Sequence, residues 1–307
     1  MTAVDTEVRP DRIARGIALI LLSTFFTALQ DAIFKQASGH VTLWQVYVLR
    51  SLFLVPAILA IAFVWGEGAA TWRQSLRLWP MLRAALFVLM YFSMYSAIPV
   101  LPLSAVAAGI YTAPLFVAAL SPLLLGEPVR RRGLLGIAIG FAGVLMILRP
   151  GTEAFAWLML LPVLAGFFYA LSAIVTRSKC RSTAPSTLAL SLSIALLLTG
   201  VLASTALYLW ELTPAQVAVS PFLLGSWSWL DLSEWGFIAM LAALMVGNGL
   251  VLPAAYQSAP SVIIATFDYT YLIFATVLGI VLFSEVPDIQ TVTGIIMIAG
   301  AGLIVAR

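Results

Sequence analysis

The sequence predicts an all-α integral membrane protein with ten transmembrane helices, arranged as two inverted-topology five-helix repeats. Three observations carry that expectation. Of 307 residues, 62% are hydrophobic and only 9% charged, a balance that suits a lipid-embedded bundle and not a water-facing surface. The apolar residues fall into runs near the ~20 needed to cross a hydrocarbon core of about 30 Å. The two halves of the chain also repeat one another.

In order, the runs are Ile13 to Phe34, Leu43 to Trp65, Pro80 to Leu101, Leu103 to Leu125, Arg131 to Leu148, Ala154 to Thr176, Ser186 to Trp210, Trp235 to Tyr256, Ser261 to Phe283 and Ile289 to Ala306. Very short hairpins at Pro99 to Pro102 and Gln257 to Pro260 separate two of the pairs. The runs are continuously apolar and long, whereas a β-barrel needs short alternating segments.

The basic residues test the count through the positive-inside rule. Arg9, Arg12, Arg15, Arg73, Arg77, Arg83, Arg130, Arg131, Arg132, Arg177, Lys179, Arg181 and Arg307 fall on one side, and only Lys35 and Arg149 on the other. Arg50 alone lies within the membrane. Both termini are therefore expected in the cytoplasm, with the chain in a bacterial inner membrane. The basic excess is an orientation signal and gives no support to nucleic-acid binding.

The first helix superficially resembles a signal peptide, but Ala28 to Ala32 reads ALQDA without a small-x-small cleavage site, so it is expected to be retained. The lone Cys180 excludes an internal disulfide framework. The longest extramembrane segment, Glu211 to Glu234, is too short for a second domain, and its Trp227 and Trp229 suit an interfacial segment on the outer surface.

FFTALQDAIFK (Phe25 to Lys35) is echoed by FFYALSAIVTR (Phe167 to Arg177), each closed by a basic residue. Later parts align without a gap at an offset of 158, pairing Ala107 with Ala265, Tyr111 with Tyr269, Thr112 with Thr270, Glu127 with Glu285 and Gly136 with Gly294. Repeats 1–150 and 151–307 would each hold five helices, an odd number, so the second copy would enter the membrane inverted. Such pairs place a site near the midplane and expose it alternately to each side.

The run Ala97 to Val129 (AIPVLPLSAVAAGIYTAPLFVAALSPLLLGEPV), its partner Ala255 to Pro287, and Lys35 and Arg50 resemble the drug/metabolite transporter superfamily, specifically its EamA-like ten-helix members. Within it the chain resembles the YddG-type amino-acid exporters of bacteria. The resemblance spans nearly the whole chain and implies a metabolite carrier, often an exporter. Ser284 precedes Glu285 where Gly126 precedes Glu127, so the glycine of that loop signature is kept once.

Ionisable residues inside a membrane are costly, and each is a functional candidate. Asp31 and Arg50 lie at similar depth. They either pair and lock two helices together, or face the cavity and bind the charged groups of a zwitterion, Arg50 taking the carboxylate with its planar fork. Ser23, Thr27, Gln30 and Asp31 form one polar stripe at helical spacing. Asp268, in DYTY and facing the same way as Tyr271, is either held by a neighbouring tyrosine or Asn248, or responds to protons or cations.

Phe87, Tyr91, Tyr95, Tyr111, Tyr169, Tyr269 and Tyr271 are packing aromatics or a lining for an amphipathic, aromatic or cationic ligand. Gly133, Gly136, Gly140 and Gly143, with Gly294, Gly300 and Gly302, suit close helix packing. Pro114, Pro162 and Pro253 are candidate bending points.

An enzyme is disfavoured, because His40 and Cys180 are alone and Asp31 and Asp268 are expected on opposite faces. A channel lacks its repeated charged ring. The expected function is alternating-access export of neutral or aromatic amino acids or related small metabolites. Organic-cation or drug efflux, and uptake of a nucleoside-type metabolite, are the alternatives. No cofactor and no obligate protein partner are expected, and protons are the candidate coupling ion.

Overall fold

The computed structural model describes residues 13–124, 131–149, 157–180, 182–258 and 267–306, and every regular element among them is helical. In chain order these are α1 (Ile13–Ala37), α2 (Leu43–Val64), α3 (Gly68–Ser75), α4 (Leu78–Ala97), α5 (Leu103–Ile110), α6 (Ala113–Leu124) and α7 (Arg131–Leu148). A 3-10 turn (Trp157–Met159) leads into α8 (Leu160–Lys179), α9 (Pro185–Leu209), α10 (Pro214–Val219), α11 (Pro221–Leu224) and α12 (Leu232–Ser258). The last two are α13 (Thr270–Phe283) and α14 (Ile289–Ala306).

Six helices, namely α1, α2, α4, α8 with its leading turn, α9 and α12, are long and apolar enough to cross a bilayer. The other expected spans appear as shorter apolar helices. The expected helix Leu103 to Leu125 is not continuous, because it breaks at Tyr111 and Thr112 into α5 and α6. Residues 261–266 of the expected ninth span, and Glu127, lie outside the described residues. The segment from Glu211 carries two short helices, α10 and α11, and α3 adds a helix between the second and third spans where none is expected.

The break at Tyr111 carries a hydrogen-bonding pattern that recurs. Thr112 turns its hydroxyl back onto the Gly109 carbonyl at 2.5 Å, and Thr270 does the same to Phe267 at 2.6 Å. A threonine that bonds its own preceding turn offers the backbone an alternative to the helix ladder. Tyr111 and Tyr269, the residues just before these threonines, both lie in turns. The repeated Tyr-Thr pair therefore marks a helix break in each half.

Proline accounts for less than expected. Pro162 falls in the first turn of α8, where a missing N–H costs nothing, and so bends no helix. The side chains of Pro114 and Pro253 lie outside the described residues. Pro56 lies within α2 and Pro122 within α6, and the backbone of Pro253 lies within α12.

Helices of the two halves pack in matched pairs. α1 packs on α12 and α13, while its counterpart α8 packs on α4 and on α5 and α6. α2 meets α12 as α9 meets α4; α2 also meets α9, α5 meets α13, and α7 meets α14. At the last contact the backbones touch through Gly143 and Gly294, as small-residue packing in membranes requires. Large apolar residues such as Leu52, Phe53, Leu89, Leu145, Leu202 and Val281 remain exposed on the outside, the arrangement that lipid favours.

Candidate functional site

The polar stripe of α1 faces inward and is spent largely on holding helices. Ser23 donates to the Asn248 side-chain oxygen at 2.5 Å, and Asn248 donates to Thr27 at 3.1 Å. Thr24 and Thr270 share a hydrogen bond of 3.0 Å. Asn248 thus clips α1 to α12 and does not hold Asp268, against one expectation.

Asp31 and Arg50 do not form an ion pair, which corrects the helix-locking expectation. Tyr271 from α13 donates its hydroxyl to Asp31 at 2.5 Å, and both residues are buried. Arg50 is 0% exposed, and none of its three guanidinium nitrogens makes a hydrogen bond. The hydroxyl of Tyr47, one turn before it on α2, and that of Tyr95 are also buried without hydrogen bonds. Gln30 lies close to the Tyr95 hydroxyl but outside hydrogen-bonding geometry. A buried cation without a hydrogen-bonding partner is among the costliest groups a protein can hold, which sets Arg50 apart from the other basic residues.

The cluster sits at one end of a ladder on α4. Residues 83, 87, 91 and 95 recur every four positions and share one helix face. Tyr91 and Tyr95 stack at 5.4 Å, Tyr95 stacks on Phe34 at 3.6 Å, and Arg50 lies 5.8 Å above the Tyr91 ring. Phe87 stands 6.2 Å from Tyr91 and in edge contact with Tyr169 at 5.7 Å. Arg83 covers the Phe87 ring at 4.5 Å and donates to Thr176 at 2.7 Å. Tyr169 is 43% exposed and lies within electrostatic reach of Arg83, Tyr91 and Asp268.

A second group meets where the helices break. Tyr111 stacks on Tyr271 at 5.0 Å, lies 5.4 Å from Tyr269, and donates to the Asp268 carbonyl at 3.1 Å. The Tyr269 hydroxyl is buried without a hydrogen bond. Tyr271 joins this group to Asp31. Of the expected residues, Gln30, Asp31, Arg50, Tyr91, Tyr95, Tyr111, Tyr169, Asp268, Tyr269 and Tyr271 thus adjoin one interior region, while Asn248 belongs to the α1–α12 seam.

The region is closed at one end. Lys35 donates to the Glu285 carboxylate and to the Leu101 carbonyl at 2.6 Å, and Glu285 accepts the Leu103 N–H at 2.9 Å. Ser284, in the left-handed region at φ 57°, turns the chain so that Glu285 reaches back. Arg149 pairs with Asp288 nearby in sequence. Lys35 and Glu285, Arg83 and Tyr47 are the residues that sequence reasoning missed. Arg83 continues the four-residue series of Phe87, Tyr91 and Tyr95, and that spacing could have found it.

The described residues are helical, with apolar outer surfaces and a buried charged cluster, as an integral membrane protein requires, and the proteins this chain resembles are membrane transporters. Residues 14–149 match the model of the EamA-like transporter family. The chain is 24% identical to the pseudopaline exporter of Pseudomonas aeruginosa, over 97% of this chain and 98% of that protein. It is 25% identical to the riboflavin transporter of Rhizobium johnstonii (100% and 96%) and 24% identical to the S-adenosylmethionine uptake transporter of Rickettsia felis (94% and 92%). A solved crystal structure shares the fold with a TM-score of 0.61 at 16% identity, over 95% of this chain and 96% of that one.

Proposed function

We propose that the chain is an alternating-access carrier built from two inverted five-helix repeats, 1–150 and 151–307, with ten spans. Neutral or aromatic amino acids, or related small metabolites, are exported. The matched packing of helices across the halves and the paired breaks at Tyr111 and Tyr269 support the repeat reading. Both termini are cytoplasmic, in a bacterial inner membrane, so the Lys35–Glu285 latch closes the outer side and Arg83 stands toward the cytoplasm.

The observation that carries the substrate reading is the unpartnered guanidinium of Arg50 beside stacked tyrosines. An amino-acid carboxylate satisfies the charge, and the rings receive its side chain. Organic-cation efflux fits less well, since Tyr271 already engages Asp31 and Arg50 repels cations. A vitamin- or nucleoside-type metabolite is the second reading, favoured by the relatives named for riboflavin and S-adenosylmethionine.

The test is uptake of radiolabelled Phe, Met and Thr into proteoliposomes, competed with unlabelled amino acids, organic cations and riboflavin, with and without a pH gradient. Saturable amino-acid flux abolished in Arg50→Ala upholds the reading. Flux of cations only, or amino-acid flux untouched in Arg50→Ala, overturns it.

A further inference from the structure

We propose that Arg83 and Arg50 are two successive anion sites on one aromatic ladder, so that the carrier selects its substrate through a carboxylate, received first at Arg83 and then at Arg50. This rests on the carrier reading above and narrows it to a substrate class.

The geometry of Arg83 is not that of a surface charge. Its Nε is engaged by Thr176 and its plane lies over Phe87, which fixes the fork. Among the described residues its two terminal nitrogens make no hydrogen bond, and no carboxylate lies within ion-pair distance of it. The exposed ring of Tyr169 borders the same space. A guanidinium held flat, with its bidentate edge free beside an accessible interior, is shaped for a planar two-oxygen anion.

Arg50 repeats the arrangement deeper in the fold, where access ends. It lies over Tyr91, and the hydroxyls of Tyr47 and Tyr95 stand unused close by. Tyr91 lies within electrostatic reach of both arginines. Between them run Phe87 and Tyr91, whose faces attract whichever guanidinium is empty and offer no competing anion. Each site carries one positive charge among hydroxyls and rings, with the Cys180 thiol near Arg83 and the Asp31 carboxyl near the deeper site. That balance suits a monoanionic carboxylate and disfavours a phosphate dianion.

The test uses the purified full-length protein and four probes. These are phenylalanine, 3-phenylpropionate (a carboxylate without an amine), phenethylamine (an amine without a carboxylate) and phenyl phosphate. Binding is read as the concentration dependence of thermal stabilisation. Phenylalanine and 3-phenylpropionate should stabilise the protein, and phenethylamine should not. Arg83→Gln should weaken carboxylate binding about tenfold, the scale of one charge-assisted hydrogen-bonding group. Arg83→Lys should recover most of that loss, and Arg77→Gln, at an exposed position before α4, should change nothing.

The inference falls if phenethylamine or phenyl phosphate binds more tightly than the carboxylates, if neither carboxylate binds, or if Arg83→Gln binds them as the parent does. Equal impairment of the Gln and Lys variants also overturns it, since a merely structural arginine behaves so. If 3-phenylpropionate binds and no amino acid does, the amino-acid reading fails and the two anion sites stand. If phenylalanine binds parent and Arg83→Gln alike, the reverse holds.

Discussion

Tyr271 of α13 donates its hydroxyl to Asp31 of α1 at 2.5 Å, and so takes from Arg50 the one carboxylate that α1 carries. The bond spans 240 positions of sequence and ties helices of opposite halves. Removing a donor from a buried carboxylate costs about 1–3 kcal/mol. Tyr271→Phe should therefore lower thermal stability by that amount, and Asp31→Asn in the same chain should recover part of it. A double-mutant cycle on melting temperatures checks this; additive losses would mean the two side chains do not interact.

The Lys35 latch makes a graded prediction. Glu285→Ala removes the acceptors of both the Lys35 ammonium and the Leu103 N–H, whereas Glu285→Gln keeps an oxygen for one of them. In a Cys180→Ser chain carrying Ile98→Cys, at a fully buried position, labelling by a membrane-impermeant maleimide should accelerate about tenfold in the Ala variant and less in the Gln variant. Equal rates in all three chains would show that the latch does not hold that end shut.

Close helix approach at α7 and α14 can be tested with two glycines. A Cβ on Gly294 would meet the Gly143 carbonyl oxygen at 2.7 Å and Ile147 Cγ1 at 2.5 Å, while one on Gly300 meets nothing within 4 Å. Gly294→Val should cost about 1–3 kcal/mol or more through overpacking. Gly300→Ala should be neutral or stabilise by up to about 1 kcal/mol. Melting temperatures in detergent distinguish the pair.

Asp288, in the loop before α14, is held at about 2 from an ordinary 3.8, first by its hydrogen bond from Arg149 and then by the Thr291 N–H it caps. A depressed carboxylate stabilises the fold fully above its ordinary value and loses that contribution as pH falls from about 4 to about 2. Half of the side chain is exposed, so solvent screens the pair and the effect is small. Thermal scans between pH 5 and pH 2 should show a shallow acid-side loss in the parent that Asp288→Asn lacks.

Much of the architecture is written in local patterns. The apolar runs end close to the observed bounds of α1, α2, α4, α7, α8, α9, α12 and α14, and the Tyr-Thr echo singles out two positions that prove to be helix breaks. It does not say that they break, because the residues around both positions are as apolar as those of an unbroken helix. Hydropathy reads residues 103–125 as one helix for the same reason. Periodicity places Asp31 on the inward stripe but cannot name its partner, which comes from 240 positions away. Equal depth with Arg50 suggests a pair, and a better-placed hydroxyl wins. Arg83 looks like one more orientation charge until its ring contacts show it facing inward.

Arg50 has an energetic consequence for the transport cycle. A bare guanidinium sealed among aromatic rings is dearly bought in free energy, so an empty carrier that closes over it climbs a barrier a loaded one avoids. Return without cargo should then be the slow half-reaction, and cargo on the far side should hasten it. On the carrier reading proposed above, counterflow of labelled substrate against an unlabelled pool should outpace net flux, the behaviour of an exchanger.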